Sequence, residues 1–198
     1  MPAIHQNART YAIAGVLALL MAATRFHHLE AAFNIPDASV AVFFLAGLFL
    51  PASWFFPVYL AEAALIDYLA ITYGGVSAWC VSPAYAFLIP AYGVVWYAGR
   101  SLASRSVSGW RGWFIRLGAA VIAAVAAFVI STGSFYLFSG RVSSGTLVGY
   151  LLHSESYFQY YVGSAFAYVA IGLGVEAVVT AVRLRIAADV SLRGGTPR

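Results

Sequence analysis

The feature that most constrains this chain is a series of long apolar stretches, each about as long as a lipid bilayer is thick. The clearest runs from residue 117 to residue 140 without one charged side chain. A helix needs about 20 predominantly apolar residues to cross the hydrocarbon core, where the backbone must satisfy its own hydrogen bonds. Charged residues, glycine and proline separate the stretches. They predict six membrane-crossing helices, at residues 10–27, 38–56, 57–74, 82–101, 113–138 and 157–182.

The composition excludes a water-soluble fold. Apolar residues make up 62% of the 198 and charged residues 9%, whereas soluble domains have roughly 45–50% and 25%. We therefore expect an all-α, polytopic membrane protein with a single six-helix transmembrane domain at residues 1–185 and a cytoplasmic tail at residues 186–198. A soluble enzyme, a secreted disulfide-rich domain and a nucleic-acid-binding protein are excluded.

The basic residues predict the orientation of the helices. All eleven are arginines, and with six crossings only Arg25 and Arg141 fall on one side of the membrane. The other side receives Arg9, Arg100, Arg105, Arg111, Arg116, Arg183, Arg185, Arg193 and Arg198. Because cytoplasmic loops carry the excess of basic residues, both termini are predicted to be cytoplasmic. The basic pI of about 9.3 follows without any nucleic acid.

Two helix starts are indicated by capping residues. Asp37 is a natural N-cap for the second helix, and Ser82 followed by Pro83 is a typical start for the fourth. Both starts face outward in the predicted topology.

Three acidic residues fall within predicted membrane helices, namely Glu62, Asp67 and Glu176. A charge inside the membrane is energetically costly, so each indicates either a functional role or a stabilising partner. Asp67 lies about seven residues before the Gly74-Gly75 turn, so at 1.5 Å per residue it is about 10 Å from the outer end. An outward-opening pocket would reach it. The alternative is a carboxylate hydrogen-bonded to a neighbouring helix.

The only cysteine, Cys80, lies in the outer connection between the third and fourth predicted helices. Close to a helix N-terminus a thiolate is favoured over a thiol, as a nucleophile or a soft-metal ligand requires. Trp79 and Tyr85 flank it in sequence, and the histidines His28 and His153 fall in outer loops. These side chains would suit a large ligand with planar and polar surfaces. The alternative is a small packing residue in an apolar protein.

Small residues recur every four positions in the first helix, at Ala14, Ala18 and Ala22. Such a stripe lets another helix approach closely. The neighbour is either a partner protein or another helix of the same bundle.

Taken together, these residues resemble the small cobalamin transporters of BtuM type, which are related to the substrate-binding S-components of energy-coupling-factor vitamin transporters. The resemblance covers nearly the whole chain and rests on its length, the alanine stripe, the stretch RFHHLEAAFNIPDASVAVFFLAG and the loop cysteine. It implies an S-component-like bundle in a bacterial inner membrane that binds cobalamin or a related corrinoid, with Cys80 as the axial ligand of the corrinoid cobalt. It also implies docking of an energy-coupling transmembrane protein and its ATPases on Ala14, Ala18 and Ala22.

We predict further binding residues from their positions and their side-chain chemistry, independently of the resemblance. They are Asp67, Tyr85, His28, His153 and Trp79. A thiolate ligand weakens the bond on the opposite face of cobalt, so slow decyanation of cyanocobalamin through Cys80 is a possible side activity. Two other readings remain open. One is an intramembrane enzyme that uses Asp67, His28 and Cys80, and the other is a structural membrane assembly protein.

Overall fold

The structure, a computed structural model, describes residues 2–26, 35–105, 109–142 and 146–194. This part of the chain is all-helical and contains no strand. Its α-helices are α1 (Pro2–Arg25), α2 (Ser39–Phe49), α3 (Phe55–Tyr73), α4 (Leu88–Ala103), α5 (Gly109–Phe138), α6 (Leu147–His153) and α7 (Glu155–Gly194). Two short 3-10 helices, Ala78–Cys80 and Pro83–Phe87, lie between α3 and α4.

Four of the described helices are long and apolar enough to cross a membrane, which fits a multi-pass membrane protein. Their apolar segments are Asn7–Arg25, Phe55–Tyr73, Gly109–Phe138 and Glu155–Val190. The two other predicted crossings are shorter as α-helices, since α2 has 11 residues and α4 has 16. Six crossings therefore stay a prediction.

The predicted second helix, at 38–56, is too long. Helix α2 ends at Phe49, and Leu50 is extended with φ −94° and ψ 127°. The cause is Pro51, because proline disfavours the helical conformation of the residue before it. Likewise the predicted fourth helix begins not as an α-helix but as the 3-10 helix Pro83–Phe87, and α-helical geometry starts at Leu88.

Helix α2 is the centre of the bundle. Every residue from Ser39 to Leu48 is buried, as expected for a helix that is apolar on all sides. The ring of Phe43 stacks on Tyr92 of α4, with centroids 4.3 Å apart. The core is thus built around α2, with α1, α3, α4, α5 and α7 as its neighbours.

Helices α2 and α4 approach so closely that glycine is required on both. A Cβ atom on Gly47 would lie 2.2 Å from the Trp96 carbonyl oxygen, and one on Gly99 would lie 2.1 Å from that of Phe44. Real Cβ atoms do not approach backbone so closely, so a side chain at either position would separate the helices.

Helix α7 is much longer than the bilayer. Its 40 residues span about 60 Å at 1.5 Å per residue, against a hydrocarbon core of about 30 Å. All residues from 177 to 190 are exposed. The helix continues through residues 186–194, the first part of the predicted tail, because no breaker occurs before Gly194 and Gly195.

Candidate functional site

The candidate site is built around a buried arginine at the end of α1. The Arg25 guanidinium forms a two-point ion pair with Asp67 of α3, with Nε–Oδ1 and Nη2–Oδ2 distances of 2.7 Å each. Arg25 is 8% exposed as a residue. The sequence predicts Arg25 in an outer loop, as one of two orientation markers. The structure instead buries it inside the bundle as the counter-charge of Asp67.

The same guanidinium connects α1 to α2 and α4. Its Nη1 donates to Ser39 Oγ at 2.9 Å and to the Tyr92 hydroxyl at 2.8 Å. Asp37 Oδ2 lies 3.4 Å from the same nitrogen. Four helices are therefore joined at one cation. We call the end of the bundle where this cluster lies the Arg25 end.

Asp37 is predicted as the N-cap of the second helix, but it lies one residue before the N-cap position. The N-cap position of α2 is Ala38, and α2 begins at Ser39. Asp37 Oδ1 nevertheless accepts hydrogen bonds from the Ser39 backbone N–H at 2.9 Å and from the Ser39 hydroxyl at 2.7 Å. The carboxylate still satisfies a free N–H of the first turn, as a cap does.

Tyr85 joins this cluster from the chain segment that contains Cys80. Its hydroxyl donates to Asp67 Oδ2 at 2.6 Å. Asp67 is a hydrogen-bonded carboxylate, with partners on α1 and in the segment before α4. An outward-opening pocket that reaches it stays a prediction.

Residues 74–87 form the Cys80 connection between α3 and α4. Ser77 is the N-cap of its first 3-10 helix, since its Oγ accepts from the Trp79 N–H at 3.2 Å. Cys80 is the last residue of that helix, and Val81 N closes the turn on Ala78 O at 3.0 Å. The sequence predicts the N-terminus of an α-helix close to Cys80, but the structure does not place one there. The helix that follows is a five-residue 3-10 helix, and α4 starts eight residues after Cys80.

The end of α5 holds the Cys80 connection on its other side. Phe87 stacks on Phe138, with ring centroids 4.9 Å apart. The Arg141 guanidinium lies over the Trp79 ring, 4.6 Å from its centroid, and its Nη2 donates to the Val81 carbonyl oxygen at 3.4 Å. Gly140, with φ +65°, takes the left-handed conformation that reverses the chain after α5. The connection is thus fastened to α3 by Tyr85 and to α5 by two planar stacks.

The structure brings together some of the predicted binding residues. Asp67 and Tyr85 are in contact, and Trp79 lies in the same connection as Cys80, whose backbone is described. His153 is an exposed residue at the end of α6, and no described hydrogen bond joins it to Arg25 or Asp67. His28 lies outside the described residues.

Two contacts of this region are not predicted by the sequence, that of Arg25 with Asp67 and that of Arg141 with Trp79. A signal for Arg25 existed, since a buried acid near one end of a helix needs a cation, and Arg25 is the nearest predicted at that level. For Arg141 no sequence pattern indicated which aromatic ring it would meet.

The alanine stripe of α1 faces partly inward. Ala14, Ala18 and Ala22 are each half-buried against the core. The Ala14 carbonyl oxygen accepts a hydrogen bond from the Tyr59 hydroxyl of α3 at 2.9 Å. The fully exposed face of α1 includes Gly15, Val16 and Leu19.

Comparison with known proteins adds no assignment. No family model matches this chain, and no curated protein shows significant similarity to it. In the described residues no group of three or more histidine, cysteine, aspartate or glutamate side chains could hold a metal ion. A site that chelates a free metal is therefore not found in this part of the chain.

Proposed function

We propose that this chain is a membrane transporter or substrate-binding protein for cobalamin or a related corrinoid, with the Cys80 thiolate as a ligand of the cobalt. The observation that carries the proposal is the setting of the only cysteine. Cys80 lies in a connection that is rich in aromatic residues, ends at the Arg25 end of the bundle and is fastened on both sides.

The ligand chemistry fits a single cysteine. A corrin ring supplies its own equatorial nitrogens, so a protein needs only one axial donor, and a soft thiolate is a suitable one. The absence of a three-residue metal cluster from the described chain is compatible with such cargo. Trp79 is 54% exposed and offers an aromatic face to a planar ligand, whereas the Asp67 carboxylate and the Tyr85 hydroxyl would meet the amide arms. His28 and His153 complete the proposed binding set.

The proposal includes six crossings in an S-component-like bundle. Residues 83–103 are helical throughout, and five 3-10 residues at about 2.0 Å with sixteen α-helical residues at about 1.5 Å span roughly 34 Å. That length crosses a hydrocarbon core of about 30 Å. Helix α2 is shorter, but its extended flank at Leu50 is buried in protein, where non-helical backbone at membrane depth is tolerated.

With six crossings both termini are on one side, which we propose is the cytoplasmic side of a bacterial inner membrane. The burial of Arg25 supports this orientation, because only Arg141 is then left as an exposed arginine of the two assigned to the other side. The Cys80 connection then faces outward, where a vitamin would arrive.

The chain contains no G-x-x-x-x-G-K-[ST] loop, so ATP hydrolysis would come from a partner. We propose an energy-coupling transmembrane protein with its ATPases, docked on Ala14, Ala18 and Ala22. The half-burial of these residues leaves part of the stripe reachable from outside the bundle.

An absorption spectrum tests the proposal. The purified full chain in detergent is incubated with cyanocobalamin, separated from free vitamin, and compared with Cys80→Ala and with Ser82→Ala as a control in the same connection. We expect bound vitamin with thiolate–cobalt bands in the wild type and Ser82→Ala, and loss of those bands in Cys80→Ala. No bound vitamin in the wild type, or the same spectrum in Cys80→Ala, contradicts the proposal.

The same samples test the side activity. If the thiolate weakens the cobalt–cyanide bond, the cyano-form spectrum decays over hours in the presence of an added thiol reductant, faster with the wild type than with Cys80→Ser. Equal decay would mean that the protein binds its ligand without processing it.

A further inference from the structure

A cleft lies between the start of α1 and the end of α2, at the end of the bundle opposite the Arg25 end. We call it the Arg9 cleft. Its volume is about 450 Å³, and its walls are formed by Asn7, Arg9, Thr10, Ile13, Leu48, Phe49 and Pro51. The three polar side chains all come from α1, and the others are apolar. The cleft therefore suits a ligand with one polar and one apolar part.

The polar part of the cleft carries a positive charge. Arg9 is exposed, and among the described residues no carboxylate lines the cleft or forms an ion pair with Arg9. Arg100 lines a neighbouring cleft of about 480 Å³ and donates to the carbonyl oxygens of Leu50 and Pro51. Because carbonyls do not neutralise a guanidinium, both arginines keep their charge. This end of the bundle therefore attracts an anion.

Arg9 lies at the level where lipid headgroups meet the hydrocarbon core. The membrane-length apolar segment of α1 begins at Asn7, and Arg9 is about 3 Å further along at 1.5 Å per residue. Ile13, Val16 and Leu20 follow at i+4, i+7 and i+11, the spacing of one helix face. Val16 is 64% exposed, and Ile13 and Leu20 are half-buried. An accessible apolar stripe thus runs from the cation toward the membrane interior.

From this arrangement we infer that the Arg9 cleft binds one anionic phospholipid, with the lipid phosphate at Arg9 and an acyl chain along Ile13 and Val16. A guanidinium can donate two parallel hydrogen bonds to phosphate oxygens. Basic pockets between membrane helices are suited to the headgroups of anionic lipids. A free phosphate would match the arginine but leave the apolar wall and stripe uncovered.

The lipid would not compete with a protein partner on the alanine stripe. Ala18 follows Arg9 by nine residues, about two and a half helical turns, so it lies on the opposite face of α1. The inference also does not depend on a corrinoid as the cargo, because Cys80 lies at the other end of α3 from the Arg9 cleft.

Native mass spectrometry of the full chain in a neutral detergent tests the inference. The protein is titrated with phosphatidylglycerol or with phosphatidylcholine of the same acyl chains, and the affinity for the first bound lipid is measured. The variants are Arg9→Gln, which removes the charge, and Arg9→Lys, which keeps it without the planar fork. The matched control is Arg105→Gln, at an exposed arginine that lines neither cleft.

We expect the wild type to prefer phosphatidylglycerol, and Arg9→Gln to bind it about fivefold more weakly. Arg9→Lys should lose less, and Arg105→Gln should bind like the wild type. Phosphatidylcholine binding should change little in all variants, which also shows that they are folded. Excess inorganic phosphate should not displace phosphatidylglycerol, because much of the affinity comes from the acyl chain.

Equal affinity of the wild type for the two lipids overturns the inference. Equal losses in Arg9→Gln and Arg105→Gln do so as well, because they indicate a diffuse attraction to the basic surface. Equal losses in Arg9→Gln and Arg9→Lys contradict the role of the charge. Displacement of phosphatidylglycerol by inorganic phosphate would identify a site for the free anion instead of a lipid site.

Discussion

Arg25 and Arg100 lie at opposite ends of α2. The guanidinium group of each donates hydrogen bonds to oxygen atoms of neighbouring chain segments. Arg25 meets the carboxylate of Asp67, with two contacts of 2.7 Å. Arg100 of α4 donates instead to backbone carbonyls, to Leu50 O at 2.6 Å and to Pro51 O. One arginine compensates a buried charge, and the other satisfies carbonyls that the end of α2 leaves free.

The surroundings differ accordingly. The Arg25 end has a continuous set of hydrogen bonds that includes Ser39, Tyr85 and Tyr92. The Arg100 end is open, with two clefts of about 480 and 450 Å³ on either side of the loop after α2. Both clefts include Leu48, Phe49 and Pro51 in their walls. The number of arginines on each side therefore indicates membrane topology, whereas the groups that an arginine contacts determine its structural role.

Removal of the carboxylate at the Arg25 end should have the largest effect. Asp67→Ala leaves a buried guanidinium with only the more distant Asp37 as counter-charge. Breaking a buried pair typically costs 3–5 kcal/mol, and the remaining contacts place this one near the lower value, about 3 kcal/mol. Thermal unfolding in detergent measures it. Glu62→Ala, on the same helix and without a described ion pair, is the control and should change little.

Unfolding of Asp67→Ala at the wild-type temperature would contradict the role of Asp67 as the counter-charge of Arg25. The double variant Arg25→Met/Asp67→Leu removes both charges. Because no charge is then left buried and unpaired, the double variant should be more stable than Asp67→Ala.

A smaller effect is expected at the Arg100 end. Arg100→Met removes hydrogen bonds to Leu50 and Pro51 but leaves no carboxylate unpaired, and Pro51 is exposed, so water reaches its carbonyl. We expect a loss of about 1–2 kcal/mol in the same unfolding measurement. Arg105→Met, an exposed arginine just beyond the same helix, is the control. A loss larger than that of Asp67→Ala would reverse the ranking of the two ends.

The smallest effect is expected from Tyr85→Phe, which deletes one hydrogen bond to Asp67 while the ion pair with Arg25 remains. The expected loss is about 1 kcal/mol. Tyr73→Phe is the matched control, since Tyr73 is 78% exposed near the same end. If corrinoid binding falls in Tyr85→Phe with stability unchanged, the hydroxyl acts on the ligand rather than on the fold.

The helical architecture was predictable because it follows from a property that each segment carries by itself. An apolar stretch of about 20 residues has few alternatives to a helix in lipid, and α3, α5 and α7 contain their predicted cores. Helix ends were predicted less well. The break at Leu50 follows from the local effect of Pro51, whereas the 3-10 geometry of Pro83–Phe87 and the short helix α6 had no clear signal.

The candidate site likewise has features that follow from the sequence and contacts that do not. Residue type and spacing indicate that Asp67 needs a partner, that Cys80 is the only thiol, and that Trp79 and Tyr85 lie in the same connection as Cys80. The tertiary structure is needed to show that Arg25 supplies the counter-charge, 42 positions away in the chain, and that Arg141 contacts Trp79, 62 positions away. Such pairings depend on which helix ends meet in space. Sequence periodicity reports the face of one helix, but not the neighbour against which that face packs.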